Sequence, residues 1–80
     1  IRVNAVAPGF IEGEWLKKGL GESYEEVRNK KAQEGLLDKV SKPEDIADGI
    51  FSMIICRKVT GQILTVDTGH TIGPRIGVGI

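Results

Sequence analysis

Two short runs of small and β-branched residues, 1–7 and 62–66, stand on either side of a long apolar helical stripe, and that order limits what the chain can fold into. The first run has no helical period and stops abruptly at Pro8 and Gly9, because proline lacks the ladder donor and glycine accepts a positive φ. The second follows a turn at Thr60 and Gly61. Between them Ile46, Ala47, Ile50, Phe51, Ile54 and Ile55 recur at the spacing of a broad apolar face, of the width a helix uses to cover a sheet. Strand, covering helix and strand in this order imply parallel pairing through a right-handed crossover, which makes the chain α/β and part of a doubly wound sheet.

The limits of the helices follow from their end signals. Ser41, Pro43 and Glu44 suggest a capping box with proline in the first turn, Glu44 and Asp45 face the positive end of the dipole, and Arg57 and Lys58 stand at the other end. The sheet-covering helix is therefore expected within 41–58. Gly49 lies beside its stripe; at about 1 kcal/mol worse than alanine in a helix interior, it points to a close approach to a neighbouring backbone. Upstream, Glu14 to Lys18 is a possible short helix broken by Gly19 and Gly21, and Ser23 with Glu26 reads as a second capping box. A helix from Tyr24 to Gln33 or Glu34 follows, with Gly35 as its stop and only Tyr24, Val27 and Ala32 as an apolar side. The expected plan is a strand and Pro-Gly turn over 1–9, helical pieces over 10–36, the covering helix, a last strand over 62–67 and a glycine-rich tail over 68–80.

Composition excludes several classes of function. Eighty residues of 40% hydrophobic content form one domain with a thin core. Eleven basic and eleven acidic residues cancel, and no Lys/Arg stripe interleaved with aromatics appears, so nucleic acid is not an expected partner. The longest apolar stretch, Ile50 to Cys56, is interrupted by Ser52 and falls far short of the roughly 20 residues of a membrane span, so no membrane partner is expected. One cysteine cannot form an internal disulfide or a metal cluster, which fits a reducing cytoplasm. Cys56 itself reads as a small buried hydrophobe, His70 as a solvated loop histidine without a carboxylate to orient it, and Glu22, Glu25 and Glu26 as a solvated face. No metal site and no catalytic residue is assigned.

Three motifs in order carry a resemblance. Asn4 to Ile11, Pro43 to Ala47, and Thr60 to Gln62 with Val66 to Gly69 are similar to the strand-plus-loop after the catalytic helix, the start of the penultimate helix and the last strand of short-chain dehydrogenases/reductases. The likeness is strongest to 3-oxoacyl-carrier-protein reductase-like members. Together with an opening on Ile1 and a sole methionine at Met53, it reads as the C-terminal third of such an enzyme, a segment of a Rossmann-type sheet incomplete on its own. The resemblance implies an NAD- or NADP-dependent oxidoreductase acting on a carbonyl or alcohol. It places Pro8, Gly9, Phe10 and Ile11 against the cofactor and Trp15, Leu16 and Leu20 in a lid over the substrate. It also implies that the rest of the parent enzyme completes the site, and that the last helix, last strand and tail pair subunits in a homo-oligomer.

Two residues depart from the family pattern. Gly13 stands where a cofactor-binding threonine is usual, and Thr68 stands in Val66-Asp67-Thr68-Gly69 where glycine is common, so a positive φ at that position is expected to be absent. The sequence contains neither a glycine-rich phosphate loop after a strand nor a Tyr-x-x-x-Lys motif; Tyr24 is followed four positions on by Arg28. The chain alone is therefore not expected to bind cofactor, and a non-enzymatic product, either truncated or a stand-alone oligomerising module, is the second reading.

Overall fold

A computed structural model describes residues 1–72, so the part of the expected tail from 73 to 80 lies outside the described residues. The order is β1 (Ala5–Pro8), α1 (Glu14–Leu20), a 3-10 turn (Gly21–Ser23), α2 (Tyr24–Glu34), α3 (Pro43–Ile55), β2 (Ile63–Val66) and a second 3-10 turn (His70–Ile72). The two strands pair in parallel, as the order of elements implies, with Ala5 opposite Ile63 and Pro8 opposite Val66. Both are shorter than the expected 1–9 and 62–67. The contact is extended at each end by single bonds, Ala5 N–H to the Gln62 carbonyl at 2.9 Å and Gly9 N–H to the Val66 carbonyl at 3.0 Å.

Because side chains alternate along a strand, Val6, Leu64 and Val66 share one face of this ribbon. Helix α3 lies on that face, and Gly49 is what lets it come close: a Cβ built there would stand 3.0 Å from Val66 Cγ2 and 3.6 Å from Leu64 Cδ2. The close approach expected of Gly49 is present, made to strand side chains rather than to backbone. The stripe assigned to the sheet needs correcting. Ile46, Gly49, Ser52 and Met53 are the sheltered positions of α3, whereas Ala47 is exposed and Ile50, Phe51, Ile54 and Ile55 are 50–60% exposed. A helix apolar over so wide an arc has two apolar sides, and periodicity alone does not say which one meets the sheet.

The amino end of α3 also differs from expectation. Lys42 rather than Ser41 is the residue before the first turn, and the Asp45 carboxylate accepts its backbone N–H at 2.8 Å, the returning arm of a capping box. Ser41 is buried at 2% exposure and held by the bridge described below. At the other end, Arg2 completes the helix: its guanidinium donates to the carbonyls of Met53, Cys56, Val59 and Ile54 at 3.0–3.1 Å. These include carbonyls that a helix terminus leaves without partners, at the negative end of the dipole. Asn4 fastens the same corner, donating to the Val59 carbonyl and accepting Gln62 N–H, both at 3.0 Å. Cys56 sits there exposed, not buried as its place in the stripe suggested.

Helix α2 runs over the expected residues, but Ser23 makes no capping bond, because the 3-10 turn at 21–23 already leads into the helix with Ser23 in helical conformation. Gly35 ends α2 in an extended conformation, φ −82° and ψ 146°, not in the left-handed one. Tyr24 is the one apolar residue buried among the described residues, at 8% exposure. The shortest dimension of the molecule is 14 Å, which leaves room for a helix layer on one side of the sheet only. Ile63, on the other face, is 71% exposed.

Candidate functional site

Both strands end at the same edge, and ligands of open α/β sheets bind beyond such carboxyl ends. The chain leaves β1 through Gly9, Phe10 and Ile11 and leaves β2 through Asp67, Thr68 and Gly69. The two exits touch: a Cβ on Gly9 would lie 2.6 Å from Asp67 Cβ and 3.0 Å from Asp67 Cα. Gly9 is thus required by a close approach, and it is not among the glycines of positive φ, so the conformational reason expected for it does not apply.

Asp67 organises the second exit. Its carboxylate accepts Gly69 N–H at 3.0 Å and Thr71 N–H at 2.6 Å, and its carbonyl accepts His70 N–H at 3.1 Å. Hydrogen bonding by Thr71, followed by Gly69, holds its carboxyl below the ordinary aspartate value. Inside this turn Thr68 adopts φ 56°, contrary to the expectation that a β-branched residue here would avoid it. The loop closed by Asp67 imposes the conformation, and Gly35, which has no side chain, packs against Thr68.

The first exit is fixed by an isolated parallel bridge between Ile11 and Ser41. Glu12 N–H donates to the Ser41 carbonyl at 2.9 Å and Ser41 N–H to the Phe10 carbonyl at 3.3 Å. In this pattern the amide N–H and carbonyl of Ile11 itself point to the opposite side of the chain, and among the described residues they meet no partner. A cavity of about 250 Å³ opens between the exits, lined by Phe10, Lys31, Val40, Asp67, Thr68 and His70. His70 is exposed, as expected, but α2 does bring it a carboxylate, with Nδ1 3.6 Å from Glu34 Oε2. That partner comes from 36 positions away in the chain and no local spacing announces it.

The residues expected to form a lid do not converge as a group. Trp15 is 86% exposed on α1, while Leu16 and Leu20, one turn apart, are partly buried where α1 lies against α2. Helix α2 is tied to the first exit by an ion pair, Arg28 Nε to Glu12 Oε2 at 2.5 Å, which raises the Arg28 pKa above its ordinary value. Gly13, just beyond, is extended at φ 170°, and a Cβ built on it meets nothing within 4 Å. The backbone there needs no glycine, and a threonine hydroxyl would fit. Tyr24 is buried with no lysine four residues on, and among the described residues no three His, Cys, Asp or Glu side chains gather around a metal position.

Sequence reasoning passed over Arg2, the hydrogen bonds of Asn4 and the Glu12–Arg28 pair, and took Ser41 for a helix cap. Only Asp67 carried a local signal, since aspartate ahead of Thr-Gly favours a side-chain-to-backbone turn.

Comparison with known proteins gives this geometry a family. The sequence profile described as enoyl-(acyl carrier protein) reductase matches residues 1–71. A granaticin polyketide synthase ketoacyl reductase of Streptomyces violaceoruber, described as putative, is 35% identical over 69 residues, which are 86% of this chain and 27% of that protein. A short-chain dehydrogenase/reductase homologue of Bacillus subtilis, YusR, is 36% identical over 90% of this chain and 52% of its own length. A small-chain dehydrogenase solved in complex with NADPH superposes with a TM-score of 0.82 at 30% identity, over 91% of this chain and 33% of that one. The chain therefore spans about a quarter to a half of the length of these relatives. Across nearly all of its described length, it belongs to the enoyl-(acyl carrier protein) reductase family of short-chain dehydrogenases/reductases.

Proposed function

We propose that this chain acts as the C-terminal third of an NAD- or NADP-dependent oxidoreductase of a carbonyl or alcohol, in the cytoplasm, supplying the nicotinamide-side loop, the substrate lid and a subunit interface. The observation that carries the reading is the amide of Ile11, a donor and an acceptor side by side at the carboxyl edge of a parallel sheet, with Ser41 fixing their direction. A primary carboxamide such as that of nicotinamide needs this pair. When bound, the cofactor supplies the hydride. Gly9 keeps the two strand exits together, Phe10 walls the cavity, and Pro8 fixes the end of the strand. Trp15, Leu16 and Leu20 would close over the substrate from α1 and exclude water.

The exposed arc of α3 and the bare face of the sheet at Ile63 support contact with the rest of the enzyme and with a second copy of it, since parallel sheets are covered on both faces. A non-enzymatic assembly module would use the same exposed surfaces, and it is the second reading. The experiment separates them. A chimaera in which this chain replaces the matching segment of the Streptomyces ketoacyl reductase is expected to reduce a ketone with NADPH, and Ile11→Pro, which deletes the donor, to raise the KM for NADPH. The isolated chain is expected to show no saturable NADH or NADPH fluorescence change at micromolar cofactor. A soluble chimaera that binds NADPH no better than the isolated chain would reject the enzymatic reading.

A further inference from the structure

We infer that the Glu12–Arg28 ion pair is the latch by which the loop leaving β1 holds the lid, and that Arg28 is a positioning residue for substrate binding. This rests on the lid reading of α1 and α2 above.

The argument begins with the face that α2 turns inward. Tyr24, Arg28, Lys31 and Gly35 fall at i, i+4, i+7 and i+11, a single face of a helix. Three of these positions carry visible attachments: Tyr24 is buried, Arg28 reaches Glu12, and Gly35 lies against Thr68. An ordinary surface helix presents an apolar stripe to its support; α2 shelters only Tyr24, Val27 and Ala32 as apolar residues, beside two cations. Helices α1 and α2 pack on one another, whereas α3 packs on both strands. The lid is therefore a satellite attached at its ends.

The two attachments differ in kind. At the far end Leu37 N–H donates to the Thr68 carbonyl at 3.1 Å and the Glu34 carboxylate stands 3.6 Å from His70 Nδ1, which ties α2 to the exit of β2. At the near end the hold is the side-chain pair beside the buried ring of Tyr24. Glu12 is a suitable fixed post, because its backbone N–H is bound to the buried Ser41 and its side chain is only 18% exposed. It directly follows Ile11, the residue proposed to meet the cofactor. Arg28, 36% exposed, is the moving member. Glu25 and Tyr24 also face it from its own helix. Glu14, Lys17, Lys42 and Glu44 line the same open cleft of about 570 Å³, so the pair forms among mixed charges that do not replace it. With little apolar area to separate, releasing the pair frees α2 and with it the α1 helix that carries Trp15.

The test uses the chimaera. Arg28→Met is expected to raise the KM for the ketone about three- to tenfold while kcat changes less than about twofold, as loss of uniform binding does. Amide hydrogen exchange over residues 14–34 is expected to accelerate, with exchange in α3 unchanged. Arg28→Lys should recover part of the effect, since an ammonium keeps the charge but not the planar fork. The double reversal Glu12→Arg with Arg28→Glu should restore KM and exchange toward the parent. Lys30→Met, which removes a charge from the exposed side of the same helix without touching the latch or the cavity, should leave both near the parent. Arg28→Met with unaltered KM and unaltered exchange over 14–34 overturns the inference. So does acceleration that spreads equally to α3, which would assign Arg28 to general stability. An inactive unsubstituted chimaera would instead reject the functional reading, and the exchange comparison would then decide the latch by itself.

Discussion

The body formed by β1, β2 and α3 and the helical pair α1 and α2, proposed above as a lid, are held by different physics. In the body, a glycine brings a helix onto Val6, Leu64 and Val66, and an arginine closes the helix end. In the lid, helices pack on each other and reach the rest through a ring, an ion pair and a turn. Close packing is unforgiving of added volume and costly to open. Polar attachments at the surface are each worth little and open readily. The body should therefore answer to stability measurements and the lid to kinetic ones. Four substitutions, taken in order of expected effect on stability, test that division.

Gly9→Ala strikes where the strand exits meet. The added methyl would stand 2.6 Å from Asp67 Cβ with Asp67 Cα behind it, so backbone rather than a pliable side-chain tip has to move. Expected is a loss of about 3 kcal/mol, the upper part of the range for overpacking, read as a lower urea midpoint. A loss below about 0.5 kcal/mol, the scale of an indifferent surface change, would mean that the two exits slide apart freely and that the body is no tighter than the lid.

Arg2→Ala removes every donor that the guanidinium gives to the end of α3 and the turn beyond it. Bonds to charged donors are the stronger ones, but this side chain is exposed, and about 2 kcal/mol is expected. Arg2→Lys should recover less than half, because one ammonium cannot serve carbonyls spread from Met53 to Val59. Hydrogen exchange should rise in the last turn of α3 and remain unchanged in α2.

The same division shows what could be read from the residues. The parallel pairing and the span of α2 were legible because they rest on the order of elements and on the residues at the helix ends, which are read locally. The face that α3 turns to the sheet was not, because apolar residues extend past the width of one contact and both sides satisfy the same pattern. Ser23 and Ser41 have the right type for caps; the preceding 3-10 turn and the bridge to Ile11 displaced them from that work. Within the candidate site, Gly9 to Ile11 was legible as a loop at a strand end, though Pro8 belongs to the strand and not to the turn, whereas Glu12 with Arg28 and His70 with Glu34 are joined only by tertiary folding. Thr68 is the sharpest miss, since residue preference argued against a conformation that the Asp67 hydrogen bonds enforce. Thr68→Gly should accordingly stabilise by about 1 kcal/mol, by relieving a strain of order 1–3 kcal/mol less the added freedom of the unfolded chain. A loss of stability on this change would show that the Thr68 side chain contributes more packing against Gly35 than the φ of 56° costs.

Trp15→Ala carries the smallest expected effect on stability and the clearest separation of the two regions. A core tryptophan costs about 3–5 kcal/mol on truncation, because its large apolar area returns to water and a cavity remains. Trp15 is 86% exposed, so little area is recovered by unfolding and no cavity forms; the urea midpoint should shift by less than the equivalent of about 0.5 kcal/mol. If α1 closes over substrate, that same exposed ring is the surface that substrate covers, and its removal should raise the KM of the chimaera for a bulky ketone while leaving the KM for NADPH unchanged. Leu16 and Leu20 differ in kind: they are partly buried at the junction with α2, and truncating either should move stability and KM together. A Trp15→Ala chimaera with ordinary kinetics and a stability loss of several kcal/mol would turn Trp15 into a packing residue and merge the lid with the body.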